Sequence, residues 1–159
     1  MLRTGKRVKV TGRILLKGGG TVELGDYVSI RGDFGSPVGF NVATDATLSI
    51  GANSFVNKSA YFAVAHNVTV GENCFIGPGL HVYDRNGHYR SIVGTQEGVN
   101  IGDNVWLGAR TTLLPGADVG DGAIVGAGSL VKGEIPENTL AVGSPAKPIK
   151  EIPMPDIRE

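Results

Sequence analysis

The chain has 159 residues, and 15 Lys plus Arg balance 15 Asp plus Glu, so the zero net charge argues against a broad basic face for nucleic acid. Hydrophobic residues make up 41 % and charged residues 19 %, which suits one globular domain and excludes a disordered tail. Gly reaches 25 residues without a collagen triplet or a low-complexity run, so the excess is expected to serve turns.

The opening MLRTGKRVKV carries Arg3, Lys6, Arg7 and Lys9. It has no apolar run long enough for a signal peptide, and residues 1–9 are expected to be an exposed lead-in. From Val10 an aliphatic residue recurs in sixes, at Val10, Leu16, Val22 and Val28, and Gly18-Gly19-Gly20 marks a turn. Residues 31–41 (RGDFGSPVGFN) break the pattern as an irregular turn or small excursion. Val42 and Leu48 restore it, Ile50 opens a new phase, and after a slip at Phe62 the sixes run through Val64, Val70, Ile76 and Val82. Cys74, the one cysteine, holds a fifth place where small buried residues belong. It is expected to be a packed thiol, and a chain with no internal disulfide suits a reducing cytoplasm. After Val82 the array stops until Ile101, which predicts a loop projecting over residues 84–98.

The clearest stretch follows. From Ile101 it reads IGDNVW, LGARTT, LLPGAD, VGDGAI, VGAGSL, VKGEIP. An aliphatic residue opens each block, Gly usually comes second, and the fifth place is small or β-branched. A helix would repeat at 3.6 and a meander in twos; a strict six is the signature of a parallel β-helix. One aliphatic side chain per short strand points inward, Gly is expected at the corners for unusual φ/ψ, and stacked coils make the core. The expected architecture is therefore all-β: a single-stranded parallel β-helix with coils over 10–136, one projecting loop, and a proline-rich cap and tail over 137–159, extended or shortly helical. No apolar stretch is long enough to span a membrane.

Several side chains could carry chemistry. His88 lies in the projecting loop, and a neutral imidazole near pH 7 can take a proton from a weak hydroxyl nucleophile. Asp84, four residues earlier, either orients His88 or starts the loop as an Asx-turn, and Asn86 has the same ambiguity. His81 precedes the inward Val82 and so faces out, where it could line a groove beside the loop. His66 sits at a coil corner and reads as a surface histidine. Trp106, the only tryptophan, precedes the inward Leu107 and should also face out, asking for a partner or for cover by the loop.

The string DNVWLGARTTLLPGADVGDGAIVGAGSLVKGEIPENTLAVGSPAKPIK resembles the hexapeptide-repeat acyltransferases, in particular the maltose and galactoside O-acetyltransferases and the polysaccharide O-acetyltransferases. The resemblance is strong from about Asn57 to Lys150. It implies a left-handed coil, a homotrimer, and acetyl-CoA bound in the groove between neighbouring subunits as acyl donor. His88 in VYDRNGHYR then matches the family's general base. Asn57 matches an asparagine that holds the acceptor beside the histidine of the adjoining subunit. Gly108, Ala109, Gly126 and Ala127 lie where the family seats the cofactor arm, with Trp106 beside it. A backbone N–H near Gly108 and Ala109 would hold the oxyanion. Lys132, Lys147 and Lys150 resemble the residues that meet the cofactor's phosphates, and Asn86 and His81 would approach the acceptor.

The resemblance thus implies acetyl transfer to a hydroxyl of a sugar or surface-polysaccharide precursor, with no metal and no nucleic-acid partner. N-acetylation of a nucleotide-linked amino sugar is the second reading. A zinc hydratase like the gamma-class carbonic anhydrases would need His66, His81 and His88 to converge, and their spacing does not match that group. A non-catalytic scaffold would explain the hexads but would not need His88.

Overall fold

The structure, a computed structural model, describes residues 1–85 and 98–153. Within them the chain winds through three parallel sheets, one strand of each per coil. The first coil comprises β1 (Leu2–Thr4), β2 (Lys9–Thr11) and β3 (Ile14–Lys17). The second has β4 (Thr21–Leu24), β5 (Ser29–Arg31) and β6 (Val38–Val42). Then come β7 (Thr47–Ile50), β8 (Phe55–Val56), β9 (Tyr61–Val64), β10 (Asn67–Val70), β11 (Phe75–Ile76) and β12 (His81–Tyr83). From residue 98 on lie β13 (Val99–Ile101), β14 (Trp106–Leu107), β15 (Thr112–Leu113), β16 (Asp118–Val119), β17 (Ile124–Val125) and β18 (Leu130–Val131). β19 (Glu134–Ile135), β20 (Thr139–Gly143) and β21 (Ala146–Glu151) close the stack. The first sheet runs β1-β4-β7-β10-β13-β16-β19, the second β2-β5-β8-β11-β14-β17-β20-β21, the third β3-β6-β9-β12-β15-β18. This is the parallel β-solenoid expected from the hexads, with about six full coils.

Stacking in register turns each inward position into a column. Val56, Ile76, Leu107, Val125 and Ala141 lie one above another in the second sheet, each at 0 % exposure. Every hexad opener from Ile101 to Val131 is buried, as are the fifth-place residues Val105, Thr111, Ala117, Ala123 and Ser129. A buried Val, Leu or Ile contributes about 1.5–3 kcal/mol, and a coil cannot gain it without a neighbour above or below.

The irregular sixes before Ile101 have a simple cause: the coils are longer. Val56 faces Ile76, 20 positions on, whereas Leu107 faces Val125, 18 positions on. The earlier coils carry four-residue strands such as β9 and β10, each with two inward residues flanking an outward one. The coil between Val82 and its partner Leu113 takes 31 residues, 13 more than three hexads. The Gly98 amide donates to the Asp84 carbonyl at 3.3 Å and ties the two ends of that insertion.

The glycines correct one expectation. In the five hexads from Ile101 to Leu130 the residue with φ in the left-handed region stands fourth: Asn104 (φ 57), Arg110 (φ 55), Gly116, Gly122 and Gly128; in VKGEIP it is Gly133, the third. The second-place glycines do not turn the corner. They sit where successive coils approach most closely: a Cβ on Gly108 would lie 2.5 Å from the Ala127 nitrogen, and one on Gly120 would lie 2.4 Å from the Glu137 nitrogen. The fourth place needs conformational tolerance, which Asn and even Arg supply; the second needs absence of a side chain.

The start of the chain is more regular than expected. Residues 2–4, read as part of a lead-in, pair with β4 and belong to the first coil, though they remain exposed. The cap is extended: β20 continues the second sheet and β21 folds back antiparallel upon it.

Candidate functional site

The outward face of the second sheet carries an aromatic row. One position before the inward column stand Phe55, Phe75, Trp106, Ile124 and Leu140, in register from coil to coil. Phe55 and Phe75 stack at 5.1 Å between ring centres, and Phe75 meets Trp106 edge-on at 6.0 Å. Trp106 is 52 % exposed and Phe75 44 %, so the row is an apolar stripe facing solvent. Trp106 thus points outward, as its place in the hexad predicts.

One position after the column the residues are small: Gly77, Gly108 and Gly126, with Asn57 one coil above them. Row and column enclose a groove of about 330 Å³, lined by Phe75, Trp106, Gly108, Ala109, Gly126 and Ala127 among others. Five residues singled out from the sequence therefore meet in one groove. Its walls are apolar, while its floor is bare backbone at the coil edges. The Gly108 and Gly126 amides are spent on the next coil, donating to Val125 and Ala141. The Ala109 amide has no acceptor among the described residues, which leaves a donor for a ligand oxygen. Asn57 accepts from the Lys58 amide through Oδ1 at 2.9 Å, and its Nδ2 has no protein acceptor among the described residues.

The lysines divide. Lys150 lies opposite Leu140, and Lys147 opposite Val142, so both flank the end of the sheet that bears the groove. Lys132 follows Val131 at the end of the third sheet. All three are exposed.

Asp84 is fully buried, and its carboxylate is occupied. Oδ1 accepts from the Ala65 amide and Oδ2 from the His66 amide, both at 2.7 Å, so it clasps the corner of the preceding coil. His88 and Asn86 lie outside the described residues, as does any contact between them and Asp84. His66 sits at the clasped corner. His81 faces outward on the third sheet, its ring 6.2 Å from those of Tyr61 and Tyr83. Among the described residues no three His, Cys, Asp or Glu gather as metal ligands. Cys74 is buried as expected; its thiol donates to the Gly102 carbonyl at 3.0 Å, and burial pushes its pKa up.

Sequence reasoning missed Phe55, Phe75, Tyr61 and Tyr83. Each immediately precedes an inward residue, as Trp106 and His81 do. That signal is present in the sequence, but the unequal coil lengths hide which of these residues share a row.

The model for bacterial transferase hexapeptide (six repeats) matches residues 98–133, and that for the hexapeptide repeat of succinyl-transferase matches residues 67–80. The galactoside O-acetyltransferase of Escherichia coli K12 is 32 % identical over 126 residues, covering 73 % of this chain and 59 % of that protein. The chain spans 55–63 % of the length of the curated relatives it matches. Among solved structures, a maltose O-acetyltransferase from Clostridium difficile 630 aligns with TM-score 0.60 and 29 % identity, over 88 % of this chain and 71 % of that one. AntD, an N-acyltransferase from Bacillus cereus in complex with dTDP and coenzyme A, aligns with TM-score 0.72 at 19 % identity, over 96 % and 84 %, and shares the fold. Among the described residues no helix is long and apolar enough to cross a membrane.

Proposed function

Because the chain belongs to the hexapeptide-repeat acyltransferase family, we propose that it is an acetyl-CoA-dependent O-acetyltransferase acting on a hydroxyl of a sugar or surface-polysaccharide precursor. The observation that carries this reading is the groove along the second sheet. Its glycine floor leaves room for an extended chain, Trp106 and Phe75 give it an apolar wall, and the Ala109 amide is left to donate. A pantetheine arm, apolar in its methylenes and polar at its amides, fits that lining. Lys147 and Lys150 at the end of the same sheet would meet its phosphates as point charges.

The transfer is direct. The acceptor oxygen attacks the thioester carbonyl carbon while His88 takes its proton. The carbonyl oxygen becomes an oxyanion to which the Ala109 N–H donates. Collapse breaks the carbon–sulfur bond, and the leaving thiolate recovers the proton from the imidazolium, giving the acetyl ester and free CoA. General-base help of this kind is worth about 10²–10⁴-fold. Asn57 of the adjoining subunit of a trimer holds the acceptor, since its amide neither gives up nor takes the reacting proton. A lone cysteine without a disulfide partner fits work in the reducing cytoplasm.

The test is a thermal melt with coenzyme A, followed by CoA release from acetyl-CoA across a panel of sugars. Coenzyme A at about 100 times its Kd should add roughly 2.7 kcal/mol to stability. His88→Ala should lower kcat about 10²-fold or more while the coenzyme A shift stays. No shift with coenzyme A would sink the donor assignment, and near-full turnover by His88→Ala would sink the base. Release stimulated by amino sugars alone would move the acceptor from hydroxyl to amine.

A further inference from the structure

The third sheet carries a second groove, of about 300 Å³, whose chemistry differs from the first. Its floor is the outward face of β3, β6, β9 and β12, where Leu15, Gly39, Tyr61 and His81 stand in register. Gly39 makes the floor possible: a Cβ there would lie 2.7 Å from Tyr61 Cδ2, so only glycine lets the tyrosine ring lie down across the strand. The Asn41 amide donates to the Tyr61 hydroxyl at 3.3 Å and holds that ring in place. The His81 ring lies beyond it, parallel to Tyr83 within 4°.

One wall is the excursion read from the sequence as a break in the pattern. Gly35, Ser36 and Pro37 line the groove. The excursion is tied down by the Ser59 amide donating to the Ser36 carbonyl and by an ion pair between Asp33 and Lys58 at 3.5 Å. The other side is the strand that runs directly into the 84–98 insertion. Lys17 is the one formally charged side chain lining the groove among the described residues.

Flat amphipathic rings beside an amide, a hydroxyl and an imidazole suit a ligand with apolar C–H faces and equatorial hydroxyls. A pyranose ring is such a ligand; a flat apolar ligand would leave Asn41 and His81 unused. We infer that this groove is a carbohydrate subsite in which Tyr61 and His81 carry a sugar ring of the acceptor, Asn41 and the Tyr61 hydroxyl bond its hydroxyls, and Lys17 favours a sugar bearing a carboxylate. Its role as an acceptor subsite rests on the acetyltransferase reading; its ability to bind a sugar does not.

The test separates the two. Glucose and glucuronic acid, which differ at one carbon, are titrated against the full chain without acetyl-CoA and followed by saturation-transfer NMR. Glucuronic acid should bind at least threefold tighter than glucose, and Lys17→Gln should abolish that preference. Tyr61→Ala should weaken both about tenfold, whereas Tyr61→Phe, which keeps the ring, should lose less. The coenzyme A melting shift should be the same in all variants, which also reports that they fold. Equal binding by Tyr61→Ala and the parent, or no binding of either sugar by a parent that does respond to coenzyme A, overturns the subsite. Sugar binding that depends on Tyr61 in a protein without a coenzyme A response keeps the subsite and removes the acetyltransferase reading instead.

Discussion

Two kinds of glycine occupy this chain, and they differ in what a side chain would do. Gly120 faces backbone of the next coil, so Gly120→Ala pushes a methyl against atoms that cannot rotate away. Overpacking of that sort costs about 1–3 kcal/mol, and at roughly 2–4 °C per kcal/mol in a chain of this size the fall in Tm should be about 2–12 °C. Gly128 has nothing among the described residues within 4 Å of its Cβ position and needs only a positive φ. Asparagine already fills that place at position 104, so Gly128→Asn should melt within a degree or two of the parent. Scanning calorimetry of the pair checks both. Cys74 illustrates burial acting on titration. The folded state holds the thiol neutral above its ordinary 9.0, while the unfolded chain ionises there. Its contribution is therefore complete below pH 9 and fades as pH rises through the folded value. Melts across the alkaline range should show the parent losing more Tm between pH 8 and 10.5 than Cys74→Ala.

At the scale of an element, the two ends of the 84–98 insertion are anchored. The buried Asp84 carboxylate holds two amides of the preceding coil, and its carbonyl takes the Gly98 amide. Hydrogen bonds to a charged group are worth about 1.5–3 kcal/mol each, and losing the acceptor strands two half-buried donors. Asp84→Ala should therefore cost about 3 kcal/mol or more, measured by urea unfolding. The same aspartate can accept further bonds, since each oxygen has two lone pairs. The structure thus gives Asp84 an anchoring role that neither sequence alternative, a triad partner or an Asx-turn, anticipated. The coils show a parallel lesson: hexads are legible wherever strands are two residues long, and blur where four-residue strands add an extra alternation.

The whole molecule presents its two aromatic faces on different sheets, and the exposed stripe of Phe55, Phe75 and Trp106 is the kind of surface that calls for cover. In a closed trimer with its sites between neighbours, as the family resemblance implies, that cover is the adjoining subunit and the donor. Light scattering should then report about three times the 16.5 kDa chain mass. Trp106→Ser should weaken the coenzyme A melting shift without unfolding the coils, because Trp106 stands outside the core.

The sequence by itself determined the solenoid, the burial of the hexad openers from Ile101 to Val131, the burial of Cys74, the outward aim of Trp106 and His81, and the position of the insertion. Each of these follows from period and local chemistry, since one residue in six must point into a core that only stacking can bury. The tertiary structure decided which residues share a row. Phe55, Phe75 and Trp106 are 20 and 31 positions apart, and only the hydrogen-bond register between coils of unequal length brings them side by side. It also decided why glycine recurs. Close approach between coils depends on distances across the stack, and a period read along one chain carries none of them.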